Sequence, residues 1–384
     1  MSVAKYVEEL GSILSSEETI LPSSDLYRTQ SLPWAAQTDL KPAVVIRPTS
    51  IESLSKALAY LSTTDLSLGI RSQGVGSASA KDIPISMTTF DEVDFDRQNE
   101  IVTVGANTMR RSTKLAPVMQ ASCPIEGHLK AHFSSRKYHL SSEFGLTSDR
   151  ANMLDAQVVK VDGTVLWASE DPELLWGIRT TNGAFGVITR FKLRARKYQA
   201  EVWGGNILIP KTELRAVVRG IAAMVARPLN PKVAFYLFVM KNKQLTHMGA
   251  KENMLMVHAF AALGETHGRS GDGFKWALDC PGAVDTTKVV SLSCMAKLQA
   301  KGAANVWWAS IALSRLDEAT LLRAFDWYDD AAASPGAVGK RASLLFGFFT
   351  TRDSDVEYRF RLATSSRVPA QDNAPRRDGY RGVP

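Results

Sequence analysis

Seven consecutive residues carry the first chemistry legible in this chain: Arg71, Ser72, Gln73, Gly74, Val75, Gly76 and Ser77. Small side chains on a tight turn let successive main-chain N–H groups point into one concavity, the kind of nest that holds a diphosphate. Arg71 adds a fixed positive charge beside it. The same composition also suits a plain turn between strands, so this stretch alone decides nothing. A second group is His128, His132 and His139, the first two spaced i, i+4. That motif supplies no carboxylate partner, so solvated loop histidines are the expectation and no metal is assigned. His258 and Tyr236, with Trp307 and Trp308, could line a pocket, or equally well pack a core or a sheet. No residue is assigned as a catalytic base.

The elements that must position the nest are set by pattern. Residues 66–70 and 83–87 read as short apolar strands on either side of it. Residues 44–47 make another strand, stopped at Pro48-Thr49-Ser50, and Ser50 can cap a helix beginning at Ile51. Leu54, Ala57, Leu58 and Leu61 repeat there at helical spacing, as a strand–helix–strand unit covering its sheet requires. Residues 3–15 also show helical spacing, with Val3, Val7, Leu10 and Leu14 on one face, and the linker from there to Trp34 reads as irregular. Further on come a strand at 101–105, a hairpin over 156–167 turning at Asp162-Gly163, a helix from Asp171-Pro172 and a strand at 187–193. Beyond Tyr198, strands at 203–210, 232–240 and 253–260 alternate with helices at 214–227 and 272–278. The run at 232–240 is apolar enough for a buried central strand, and the whole predicts an antiparallel sheet with helices on one face. The polar stretch 354–384 reads as a disordered tail.

Composition bounds the function. A chain of 384 residues is long enough for two packed domains, and 45% hydrophobic with 22% charged residues describes a globular protein. The formal charge of +7 suits an anionic ligand, but the basic residues are dispersed without interleaved aromatics, which argues against nucleic acid. Cys123, Cys280 and Cys294 form neither a metal spacing nor a disulfide framework, so a reducing, cytoplasmic setting is expected. The first twenty residues lack the unbroken apolar core of a signal peptide, and no stretch has the length of a membrane span.

Taken together, residues 34–61, the nest, 101–105, 171–176 and 181–190 resemble, in order and separation, the FAD-binding domain of the vanillyl-alcohol oxidase / PCMH superfamily. The likeness is greatest to the berberine-bridge-type FAD-linked oxidoreductases of fungal secondary metabolism. It implies an α+β fold: an N-terminal helix and linker (1–33), a PCMH-type FAD-binding domain of two α+β subdomains (34–197), and an antiparallel-sheet substrate domain (198–353) roofing the flavin. In relatives the chain then returns to the FAD domain with a Tyr/Asn-bearing segment, which is missing from 354–384.

The resemblance places Pro48 and Thr49 beside the flavin, Arg71 to Ser77 around the pyrophosphate, Gly145 and Asp149 in a Tyr-Gly-Leu-type segment, and Gly183, Gly186, Val187 and Ile188 towards the adenine. Many relatives tether the flavin through a histidine in the nest and some through a second, cysteine tether. The matching positions here are Val75 and Ser148, neither a plausible flavin ligand, so non-covalent FAD is implied. Residues 106–140 lack the glycines that relatives lay over the cofactor. They read either as an altered lid facing anions with His and Lys, or as the product of an exon-boundary or frame error. The steric need for glycine favours the second. The implied function is an oxidase or dehydrogenase acting on a small organic substrate, with dioxygen as reoxidant and neither nucleic acid nor membrane as partner. The alternative is a redox-silent member serving as a scaffold or steering a cyclisation. Net charge alone would favour a generic basic binding protein.

Overall fold

The computed structural model describes residues 3–33, 38–72, 80–108, 153–181, 185–195, 201–227, 229–230, 232–240, 253–291, 316–333 and 344–348. Three sheets account for the strands among them.

The first sheet contains β1 (Thr19–Ile20), β2 (Val45–Ile46), β3 (Leu68–Arg71) and β4 (Ile83–Ser86), in the order β1-β2-β4-β3. β1 is antiparallel to β2, whereas β2, β4 and β3 run parallel. The helix Ile51–Leu61 (α3, after α1 at Val3–Leu10 and α2 at Tyr27–Ser31) is the crossover from β2 to β3, which run parallel on either side of β4. Its start is fixed as expected: the Ser53 amide donates to Ser50 Oγ at 3.0 Å and the Ser50 amide donates to Ser53 Oγ at 3.2 Å. Leu54, Ala57, Leu58 and Leu61 are buried and pack with Ile46, Ile83 and Ile85 in one core.

Two expectations for the N-terminal stretch are corrected. The helix ends at Leu10, not residue 15, because Gly11 is a poor helix residue; the chain continues in turns that still bury Leu14. The stretch read as an irregular linker holds β1 and α2, and both belong to the first sheet's packing.

The second sheet, β5 (Val93–Asp96), β6 (Ile101–Gly105), β7 (Met153–Val159), β8 (Val165–Trp167) and β9 (Val187–Arg194), is antiparallel in the order β5-β6-β9-β7-β8. The β7–β8 hairpin turns at Asp162-Gly163, with Gly163 at φ +86° and the Lys160 amide donating to Thr164 O at 2.8 Å. Ser55 of α3 donates to Gly163 O at 2.5 Å, and Val159 and Val187 join the core under α3, so the two sheets share one packed interface. Helix α4 (Pro172–Thr181) comes directly after Asp171, whose carboxylate accepts from the Glu173 and Leu174 amides.

The third sheet holds β10 (Glu201–Pro210), β11 (Val233–Met240), β12 (Met254–Ala261), β13 (Val284–Asp285), β14 (Lys288–Ser291) and β15 (Leu344–Phe348). It runs β13-β10-β12-β11-β15, with β14 also on β10, and every pairing is antiparallel. Strand β11 is indeed interior. Odd-numbered residues of the three long strands (Trp203, Ile207 and Ile209; Phe235, Leu237 and Val239; Leu255, Val257 and Ala259) pack with α5 (Leu214–Val225), α7 (Lys275–Leu278, after α6 at Glu265–Gly268) and α8 (Glu318–Ala333). The helix expected over 272–278 is only α7: the residues before it turn tightly, the Gly273 amide donating to Ser270 O.

Candidate cofactor-binding site

In an open sheet of parallel strands, ligands bind outside the carboxyl ends of the strands. In the first sheet that edge is built from residues at and just beyond the ends of β2, β3 and β4: Arg47 to Thr49, Arg71 and Ser72, and Met87 to Thr89. Hydrogen bonds gather these segments. The Met87 amide donates to Arg71 O at 2.8 Å, and the Thr89 hydroxyl donates to Pro48 O. Ser72 Oγ donates to Ala106 O at 2.9 Å, and the Ala106 amide donates to Thr189 O at 2.8 Å, which ties the edge to β6 and β9 of the second sheet. Pro48, Thr49, Arg71 and Ser72 therefore do meet at one place, and Gly186, Val187 and Ile188 begin the strand that reaches it. Gln73, Gly74, Val75, Gly76, Ser77, Gly145, Asp149 and Gly183 lie outside the described residues, as do Ser148, His128, His132, His139, Trp307 and Trp308.

The polar groups of this edge are partly committed already. The Thr49 amide and hydroxyl both donate to Glu18 Oε1, at 2.6 and 2.9 Å, and the Ser15 amide and hydroxyl donate to Glu18 Oε2 at 3.0 and 3.1 Å. Burial pushes the Glu18 carboxyl up, but the hydrogen bonds from Ser53, Thr49 and Ser15 outweigh it and hold it down at about 2. Arg71 is 8% exposed, and its Nη2 donates to Thr29 O and Leu32 O at 3.1 and 3.2 Å, the carbonyls at the end of α2. That burial lowers the Arg71 pKa. Gln30, also on α2, accepts from Ser86 Oγ at 2.6 Å and Thr88 Oγ1 at 2.9 Å.

Two donors stay open. The Nε atoms of Arg47 and Arg71 are both buried without a hydrogen-bond partner among the described residues. Parallel register sets Ile46 and Ile70 beside Ile85, so Arg47 and Arg71 stand on either side of Ser86 at the carboxyl edge. Buried N–H groups of that kind call for an acceptor, and an anion suits two guanidiniums. A diphosphate thus fits Arg71 and Arg47, while both donors of Thr49 are already held by Glu18.

Gly186 is needed as glycine against a neighbouring strand. At φ +148° an added Cβ would lie 2.7 Å from both Val158 Cγ1 and Val159 O, so the close approach is to β7. Val187 and Ile188 are buried in the two cores that flank β9. Pattern reading missed Glu18, Gln30 and Arg47. Glu18 and Gln30 sit in the stretch taken for a linker, and only the fold brings them to the strand ends; Arg47 was read merely as the end of a strand.

No protein-family model matches the chain. In sequence it is similar to an FAD-dependent monooxygenase of Arthrobotrys oligospora, 21% identical over 225 residues, covering 55% of this chain and 43% of the relative. The FAD-linked oxidoreductase hasG of Aspergillus fumigatus is 22% identical over 227 residues, covering 56% of this chain and 48% of the relative. In structure it is similar to 6-hydroxy-D-nicotine oxidase from Arthrobacter nicotinovorans, with a TM-score of 0.63, 17% identity, and coverage of 74% of this chain and 64% of that one. A berberine bridge enzyme in complex with (S)-reticuline gives a TM-score of 0.59 at 16% identity, covering 77% of this chain and 63% of that one. The fold is shared with berberine-bridge-enzyme-like proteins, as the resemblance implied. The matches span under half the length of these sequence relatives and under two thirds of the structural ones. Among the described residues no helix is long and apolar enough to cross a membrane.

Proposed function

We propose that this chain is an FAD-linked oxidoreductase of fungal secondary metabolism that holds FAD without a covalent bond and oxidises a small organic substrate, with dioxygen as the reoxidant. The observation that carries this reading is the pair of buried guanidinium Nε atoms, unpartnered among the described residues, at the carboxyl edge of a parallel sheet, in a chain similar in sequence to FAD-linked oxidoreductases and in fold to an oxidase. In this reading Arg71 and Arg47 hold the diphosphate, with the main-chain amides of Ser72 to Ser77 beside them and Pro48 packed at the edge. Gly145, Asp149 and Gly183 border the cofactor, and the start of β9 backs the adenine side. Bound there, FAD would supply hydride acceptance, and the chain's own residues would bind it, orient it and exclude water. Val75 and Ser148 offer no tether. Residues 34–197 would form the cofactor domain and residues 198–353 the substrate domain, in a reducing, cytoplasmic setting consistent with the cysteine pattern.

One observation favours the second reading, a redox-silent relative that steers a cyclisation or acts as a scaffold. Thr49, one of the expected cofactor residues, already has both its amide and its hydroxyl on Glu18. Purified chain separates the two readings. An oxidoreductase carries a flavin absorbance band and consumes oxygen with some member of a panel of phenols and alcohols. Bound flavin without oxygen uptake across that panel supports the redox-silent reading, and a colourless chain that takes up no added FAD removes both.

A further inference from the structure

The face of the first sheet away from α3 carries a cluster of hydrogen-bond donors that the strands do not use. Ile46, Ile83 and Ile85 point to α3, so by the two-residue period Arg47, Arg71 and Ser86 point to the opposite face, where α2 lies. Ser86 is wholly buried between the two arginines, and its hydroxyl donates to Gln30 Oε1 of α2 at 2.6 Å. Thr88 Oγ1 donates to the same oxygen at 2.9 Å. Bonds from a hydroxyl to an oxygen run about 2.5–3.0 Å, and those from an amide N–H start at about 2.7 Å. The shorter contact therefore sets the oxygen of the Gln30 amide, not its nitrogen, against the strands. Its NH2 is turned away from Ser86 and Thr88 and has no hydrogen-bond partner among the described residues.

The next residue, Ser31, is buried, and its hydroxyl also lacks a partner among the described residues. With the open Nε atoms of Arg47 and Arg71, both walls of this space, strands and helix alike, present donors without acceptors. Such groups cost desolvation unless something rich in acceptor oxygens lies between them. Arg71 also joins the walls, because its Nη2 is held by Thr29 O and Leu32 O at the end of α2. We propose that α2 is the second wall of the diphosphate site and that Gln30 is a binding residue in it, its NH2 donating to a phosphate oxygen held between Arg47 and Arg71. The proposal rests on the reading of this edge as a diphosphate site, and it adds a contact from the N-terminal segment, outside the span 34–197 taken for the cofactor domain.

The test uses inorganic pyrophosphate, which needs no flavin, titrated by calorimetry into the full chain. Gln30→Glu keeps an acceptor oxygen for Ser86 and Thr88 but sets a second, negatively charged oxygen where the NH2 stood. Wild-type chain is expected to bind pyrophosphate one-to-one, and Gln30→Glu at least about tenfold more weakly without a lower melting temperature. Equal affinity in the two proteins overturns the proposal, as does a wild-type chain that binds no pyrophosphate. Should Gln30→Glu fail to fold, NMR of the wild type decides: the Gln30 side-chain NH2 signals should shift and exchange more slowly with solvent as pyrophosphate is added, and signals that stay unchanged overturn the assignment. FAD titrated into the same two proteins separates this contact from the cofactor reading. Undiminished FAD affinity in Gln30→Glu overturns the contact and leaves that reading standing. Pyrophosphate binding that depends on Gln30, in a chain that takes up no FAD, upholds the contact and removes FAD as its ligand.

Discussion

The Glu18 carboxylate accepts from both the amide and the hydroxyl of Thr49, at 2.6 and 2.9 Å, across 31 residues of chain. The contact closes the N-terminal segment onto the turn that starts α3 and commits both hydrogen-bond donors of Thr49.

This contact predicts an acid limb of stability. The folded-state pKa of Glu18 is depressed from 4.5 to about 2, so its contribution is fully present above the unfolded value and lost as pH falls from about 4.5 towards about 2. Glu18→Gln keeps one acceptor but sets an NH2 against the Ser15 or Thr49 donors. It is expected to cost about 1–3 kcal/mol near neutral pH and to flatten the loss below pH 4.5. Thermal melts of both proteins across that range check it; parallel acid limbs would count against the contact.

Gly186→Ala is expected to destabilise by about 2–4 kcal/mol, because the new Cβ meets both a Val158 methyl and the Val159 carbonyl at 2.7 Å. Gly264 offers the control. It also has a positive φ, +89°, with ψ 179°, but nothing lies within 4 Å of an added Cβ, so Gly264→Ala should show backbone strain without a packing clash, about 1–3 kcal/mol. Denaturant melts read the difference, and equal costs would refute the packing explanation for Gly186.

Arg71→Met removes the two bonds that hold the carbonyl end of α2. Charge-assisted bonds contribute about 1.5–3 kcal/mol each at most, and here they share one buried guanidinium, so a total loss of about 2–4 kcal/mol is expected. Amide exchange should speed up in Tyr27–Ser31 before it does in Ile51–Leu61. Unchanged exchange at α2 would show that Arg71 is not its clamp.

Much of this fold was legible because its elements obey local rules. Ser50 capping α3, Asp162-Gly163 turning the β7–β8 hairpin and the apolar run of β11 are each fixed within a few residues. The two-residue β1 and five-residue α2 carry no periodicity, so they read as linker, and with them went Glu18 and Gln30. The candidate site was legible in part. Pro48 and Arg71 converge because parallel strands align their carboxyl ends, a consequence of topology. The Glu18 partner of Thr49 was not legible because it is remote in sequence, and the close approach of Gly186 to β7 was not because a glycine needed against a neighbouring strand looks the same in sequence as one needed against a ligand.

The central claim is that the strand ends around Arg47 and Arg71 grip a dinucleotide without a covalent bond. Titrating FAD into flavin-free chain, following flavin fluorescence and melting temperature together, tests it most directly. Saturable one-to-one uptake is expected, with a raised melting temperature, at least about tenfold weaker binding in Arg47→Met, and complete release of flavin into the supernatant on acid denaturation. No change in either signal, or flavin that precipitates with the polypeptide, would contradict it.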